Sequence, residues 1–208
     1  LGAGRTELIQ SIMGVRTPDA GRISVDGADI GRLSYRAMVG RGFGYTPENR
    51  KDEGIVPLLG VDENAVATNF GVVSRNGILS AQLMREAAKS VIDRLHIKAA
   101  RTDTPIGTLS GGNQQKVVIG RWVHAGSRVL LLDEPTRGVD VEAKAQIYAI
   151  IRQLASEGRS VVFVSSEMEE LPLVCDRVLV LREGELREEF QAPNIDQDAV
   201  MAACIAAH

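Results

Sequence analysis

The run Val129-Leu130-Leu131-Leu132 ends in two adjacent carboxylates, Asp133 and Glu134, followed by Pro135 and Thr136. Four consecutive apolar residues suit a strand covered on both faces, as in a parallel sheet. A second run, Val161–Ser165, has the same character, and a predicted helix at Val141–Leu154 lies between the two. Alternating strands and helices point to an α/β fold around a mostly parallel sheet. In open sheets of that kind, ligands bind at the carboxyl ends of the strands, where Asp133 and Glu134 fall.

The other segments fit this frame. Thr6–Met13 reads as a helix launched by a Gly-rich loop, and Gly14 and Thr17–Gly21 read as turns. Arg22–Val25 is a predicted short strand before an Asp26-Gly27 turn, and Gly42–Pro47 ends another before the polar run Glu48–Gly54. From Val61 to about Ile97 the pattern is helical. It is clearest over Ala81–Leu95, where Leu83, Ala87, Val91 and Leu95 fall near one face. This block interrupts the alternation and predicts an inserted helical subdomain over 61–108. Val178–Leu181, a Glu183-Gly184 turn and Glu185–Phe190 predict a closing hairpin, and Gln197–Ala207 a short helix.

Composition limits the class. With 208 residues, 44% hydrophobic and 25% charged, the chain is expected to form one globular domain over 1–208. Cys175 and Cys204 lie in apolar surroundings without metal-ligand spacing and read as reduced, buried thiols of a cytoplasmic protein. A net charge of -3 with no long basic run argues against a nucleic-acid partner. No stretch approaches the roughly 18–20 apolar residues of a membrane span, so a membrane link would pass through another protein. Leu1 is not a start methionine, and the chain is expected to be a fragment. His96, His124 and His208 are scattered without ligand spacing.

Leu109-Ser110-Gly111-Gly112-Asn113-Gln114-Gln115 carries more chemistry. Ser110 is a good helix N-cap and Gly111-Gly112 a flexible turn. The same residues also offer a hydroxyl, approachable backbone N–H groups and a helix dipole end, which together suit phosphate. The Asp133-Glu134 pair likewise has two readings. It caps the next element, or Asp133 helps to hold Mg²⁺ while Glu134 orients or polarises an attacking water.

These motifs resemble the ATP-binding cassette (ABC) family over nearly the whole chain. Ser110–Gln114 looks like its signature, Leu130–Glu134 like its Walker B strand, Arg137-Gly138-Val139-Asp140 like its D-loop, and Gly2-Ala3-Gly4-Arg5-Thr6 like the end of its phosphate-binding P-loop. The resemblance narrows with Gly2–Leu8, Pro47-Glu48-Asn49-Arg50-Lys51, Asn113–Lys116, Pro135–Asp140 and Val164-Ser165-Ser166-Glu167-Met168. Together they are similar to the second cassette of the tandem ATPases that drive import of ribose, xylose, galactose and related solutes.

That resemblance implies a P-loop NTPase fold lacking its N-terminal strands, with ATP and Mg²⁺ as cofactors. It places Gly2, Ala3, Gly4, Arg5, Thr6, Glu7, Glu48, Asp133 and Ser166 at the chain's own nucleotide, with Thr6 and Asp133 on the metal and Glu134 as catalytic carboxylate. Ser110, Gly111, Gly112, Asn113 and Gln114, with Asp140 of the D-loop, would serve a partner cassette's nucleotide. In the P-loop pattern Gly4 is the second glycine, and the first falls two positions before Leu1. Three positions depart from the pattern: Arg5 replaces lysine, Glu48 the Q-loop glutamine, and Ser166 the H-loop histidine. An arginine fork is no equivalent of a compact ammonium, and a serine hydroxyl cannot become cationic. The site is therefore expected to bind ATP and hydrolyse it slowly.

The implied partners are a second cassette fused upstream, membrane permease subunits and, indirectly, a periplasmic or extracellular solute-binding protein. The implied location is peripheral, on the cytoplasmic face of the inner membrane. By resemblance, the permease contact would use the 61–108 block and the Glu48 loop, although Asn49–Glu53 reads equally well as a solvated loop. Two alternatives stand beside this reading: a soluble ABC ATPase of DNA repair or translation, and a regulatory cassette that never turns over ATP.

Overall fold

The computed structural model describes residues 2–31 and 33–205. Leu1, His208 and the last two residues of the predicted tail helix lie outside that range. The sheet is built on β6 (Val129–Asp133), which pairs in parallel with β3 (Phe43–Thr46) on one side and β7 (Ser160–Val164) on the other. The register sets Gly44 beside Leu130 and Val164 beside Asp133. Gly44 answers a packing demand, because a Cβ there would sit 2.7 Å from the Trp122 ring lying over the sheet.

The prediction of strands covered on both faces is met by β6, where Leu130, Leu131 and Leu132 are at most 1% exposed. It is not met by β7. That strand is an edge of this sheet among the described residues, and Val162 is 42% exposed.

Around the sheet, α1 (Arg5–Ile12) precedes a small antiparallel pair, β1 (Ser24–Val25) and β2 (Ala28–Asp29). The next helix, α2 (Tyr35–Gly40), is capped by Ser34 and leads into β3. The polar run after β3 is a single π-helical turn, Arg50–Gly54, capped by the Asn49 side chain. Helix α6 (Val141–Ser156) makes the crossover from β6 to β7 and buries Ile147, Ile150, Ile151 and Leu154.

The stretch from Val61 to Ile97 is not wholly helical. It holds α3 (Val61–Val66), a 3-10 turn at Phe70–Val73, the tiny hairpin β4 (Ser74–Arg75) and β5 (Ile78–Leu79), and α4 (Ala81–Leu95). Asn76 and Gly77 turn that hairpin with φ of 51° and 80°. Asn-Gly is the short-range signal for such a turn, because both central residues need positive φ. Helix α4 buries Ala88, Val91 and Leu95, whereas Leu83 and Ala87 are half-buried, so the packed stripe runs closer to the C-terminal end than predicted. It lies against α5 (Gly111–His124), where Gly120 admits it; a Cβ there would come within 2.3 Å of Val91.

After β7, the short helix α7 (Leu171–Val174) leads to the predicted hairpin, β8 (Arg177–Arg182) and β9 (Glu185–Gln191). Helix α8 (Gln197–Ile205) closes a separate small core of Leu171, Val178, Val180, Ile195 and Val200. Cys175 and Cys204 are free and half-buried beside it, and burial pushes the Cys175 thiol up to about 11. No helix of the described residues is long and apolar enough to cross a membrane.

Candidate functional site

Backbone geometry shapes the first part of the site. Gly2 and Gly4 have φ of 78° and 87°, and Gly4 is the N-cap of α1. Left-handed backbone favours glycine, and a Cβ on Gly4 would lie 3.3 Å from Gly184 Cα in the β8–β9 turn. Gly184 N–H donates to the Ala3 carbonyl at 3.1 Å, which fixes the loop's approach to the helix. The first N–H groups of α1 have no partner within the helix, so its opening suits an anion. Glu7 belongs to that first turn, but its side chain is in solvent, 3.8 Å from Arg16.

Asp133 ends β6 and is fully buried. Neither of its carboxylate oxygens has a hydrogen-bond partner among the described residues. Burial pushes its carboxyl above the ordinary value, and the nearby Thr6 hydroxyl works in the opposite direction. A buried, unpartnered carboxylate beside a hydroxyl is a hard oxygen donor set, and it fits Mg²⁺. Thr46, beside Leu132 in β3, likewise has a fully buried hydroxyl without a partner.

Glu134 is 9% exposed and has φ of 46°. A non-glycine residue in this region persists only when its surroundings over-determine it. Here its N–H donates to the Val164 carbonyl at 2.9 Å, one strand across. Two segments then converge on its side chain or beside it. Arg5 Nη1 lies 3.5 Å from Glu134 Oε1 and donates to the Ser165 carbonyl at 2.5 Å. Ser166 Oγ donates to Glu134 Oε2 at 3.1 Å. The fold therefore gathers Arg5, Glu134 and Ser166 into one cluster, beside Asp133 and Thr6.

Glu48 is not in that cluster. It is exposed and forms an ion pair with Arg137. Two positions on, Arg50 turns inward and donates to Gln114 and Gln115, both at 3.4 Å, and its guanidinium lies 3.0 Å from where a Gly111 Cβ would be. Burial lowers the Arg50 pKa. The polar run thus includes a half-buried arginine that reaches α5, a contact with no sequence signal because it joins positions 64 residues apart.

Ser110 caps α5, and its hydroxyl accepts from Asn113 Nδ2 at 2.9 Å, while Asn113 Oδ1 accepts from the Lys98 N–H at 2.8 Å. Gly112 is buried because α6 passes over it; a Cβ would meet Ala143 Cβ at 2.4 Å. Gln114 is also buried, donating to the carbonyls of Ile106 and Leu109. Asp140 caps α6 through the Ala143 N–H at 2.9 Å. Ser110, Asn113 and Asp140 line a depression of about 130 Å³ that also takes in Lys98. Its position suits a ligand approaching from outside the chain.

The histidines play other parts. His96 ends α4 with φ of 50°, and its carbonyl accepts from the buried Lys116. His124 has its pKa lowered, mainly by burial. Among the described residues, no group of three or more His, Cys, Asp or Glu side chains could hold a metal.

A family model described as "ABC transporter" matches residues 1–137. The chain is 58% identical over 208 residues to an uncharacterized ABC transporter ATP-binding protein, YphE, of Escherichia coli K12, covering all of this chain and 41% of that protein. It is 43% identical over 206 residues to a ribose import ATP-binding protein, RbsA, of Chelativorans sp., covering 99% and 41%. The chain thus spans about two-fifths of these relatives' length. Its fold matches a nucleotide-free ATP-binding cassette from an ABC transporter with a TM-score of 0.79 at 19% identity, over 96% of this chain and 80% of that one. A dimeric post-hydrolysis cassette bound to ADP and Pi matches at 0.75 and 21%, over 91% and 81%.

Proposed function

We propose, from the premise that this chain belongs to the ABC transporter family, that it is an ATP-binding segment energising the import of a sugar or related small polar solute. The ribose import named for a relative supports the solute class, and the partial coverage supports a second cassette in the same polypeptide. Permease subunits and a solute-binding protein are the remaining proposed partners.

At the chain's own site, the N–H groups of Gly2–Thr6 and the Arg5 guanidinium would hold phosphate, and Thr6 and Asp133 would hold Mg²⁺. Bound Mg²⁺ supplies neutralising charge to the phosphates. Glu134 would orient water, and Ser166 would reach the terminal phosphate. The observation that carries the reading of slow hydrolysis is the pairing of Glu134 with Arg5 at 3.5 Å and Ser166 at 3.1 Å. A water-orienting carboxylate already engaged by a cation and a hydroxyl has less capacity left for water. Losing about 3–4 kcal/mol of transition-state stabilisation would cost two to three decades of rate.

In the full-length ATPase, Glu134→Gln should therefore leave most turnover intact; near-abolition would contradict slow hydrolysis here. The exposed Ser110 and its neighbours would complete the facing cassette's site. Ser110→Arg should then suppress transport more than Arg5→Ala, and the opposite ranking would sink that assignment. The same Arg5–Glu134 contact also favours a second reading, a regulatory cassette without turnover. Single-site ATPase measurements separate the two: a slow but Glu134-dependent rate supports the first, and no rate supports the second.

A further inference from the structure

Glu170 has no part in the reading above, yet it is 1% exposed and surrounded by donors. Its Oε2 accepts from Thr136 Oγ1 at 2.7 Å and from Ser165 Oγ at 2.9 Å. Its Oε1 accepts from the Tyr148 hydroxyl at 2.7 Å and lies 3.2 Å from Lys144 Nζ. Burial by itself would raise the Glu170 pKa, but the bonds from Thr136, Tyr148, Ser165 and Lys144 outweigh it and the net shift is downward. A buried carboxylate persists in charged form only with such pairing.

The location of the donors matters more than their number. Thr136 stands two residues after Glu134, and Ser165 immediately precedes Ser166. One carboxylate therefore ties the loop leaving β6 to the loop leaving β7, with Lys144 and Tyr148 of α6 behind both. The 3.1 Å contact between Glu134 and Ser166 spans those same two loops. It requires the loops to hold a fixed separation, and small misplacements of reacting groups are costly.

We propose that Glu170 is a positioning residue of the nucleotide site, a buried clamp that holds Glu134 and Ser166 in register and makes their two loops respond to nucleotide as a unit. This rests on the reading of Glu134 and Ser166 as the groups facing the terminal phosphate.

Hydrogen exchange on the full-length ATPase, with and without Mg²⁺ and the slowly hydrolysed analogue ATPγS, tests it. In the unmodified protein, nucleotide should slow exchange over residues 2–8, 134–140 and 165–170 together. Glu170→Gln leaves Lys144 its ion pair with Glu167, so the local charge stays balanced, and Glu170→Met, which removes the acceptors at similar volume, provides a second variant. In either folded variant the slowing at 2–8 should persist, while the nucleotide-dependent slowing of the two later loops falls about 10-fold. Tyr148→Phe, which removes only an α6 donor, should keep it.

Full slowing of both loops in the Glu170 variants would overturn the proposal. So would exchange that rises equally with and without nucleotide, the mark of a merely structural role. Loss in Tyr148→Phe as well would place the effect in general packing of α6 and also overturn it. No slowing at 2–8 or 134–140 in the unmodified protein would bring down the site assignment and the clamp with it, a failure recognisable because it needs no substitution.

Discussion

Asp133 is the residue at which burial and charge conflict most openly. Its folded pKa lies above the ordinary 3.8. As pH rises through 3.8 the unfolded chain ionises first, so stability falls until the folded carboxyl ionises too, and the cost is complete above the folded pKa. At neutral pH an ionised Asp133 therefore destabilises the nucleotide-free fold. Asp133→Asn removes that cost and should stabilise the nucleotide-free protein by about 1 kcal/mol. It should also abolish the rise in melting temperature produced by Mg²⁺-nucleotide. Thermal unfolding with and without the ligand checks both; a lower midpoint without ligand would refute the first claim.

Between elements, glycine acts by letting side chains approach. Gly112 looked in the sequence like a flexible or phosphate-approaching residue, but the structure adds a packing reason, the crossing of α5 and α6 at Ala143. Gly112→Ala should cost about 1–3 kcal/mol through overpacking, read from the urea midpoint. Moving the methyl across the contact with Ala143→Gly should restore part of it, which a purely conformational cost at Gly112 would not allow. The hairpin at Ser74–Leu79 teaches the converse lesson. Its Asn76-Gly77 turn signal is present in the sequence but lies inside the stretch from Val61 to Ile97 that reads as helical.

For the whole molecule, the Glu170 clamp links α6, the β6 exit and the β7 exit, so its titration should show in global stability. Its folded pKa is below the ordinary 4.5. The stabilisation is then fully present above 4.5 and is lost as pH falls from there through the lower folded value. Glu170→Gln should lower stability at neutral pH and flatten the acid limb of the unfolding profile below pH 4.5. An acid limb as steep as that of the unmodified protein would show that other carboxylates govern it.

Much of the fold was legible because it is written in local patterns. The apolar run of β6, the 3.6-residue period of α6, the Glu183-Gly184 turn and the order of the motifs depend on neighbours within a few residues, where propensity and periodicity operate. The family and the α/β frame followed from these features. What only the tertiary structure decided are meetings across long stretches of chain: Arg5 with the Ser165 carbonyl 160 positions away, Glu48 with Arg137, and Thr136 and Ser165 on one buried carboxylate. Such contacts depend on sheet register, on where each loop leaves its strand and on which side chain reaches the space first. No short window of sequence contains those quantities, because each is fixed by the packing of several elements at once.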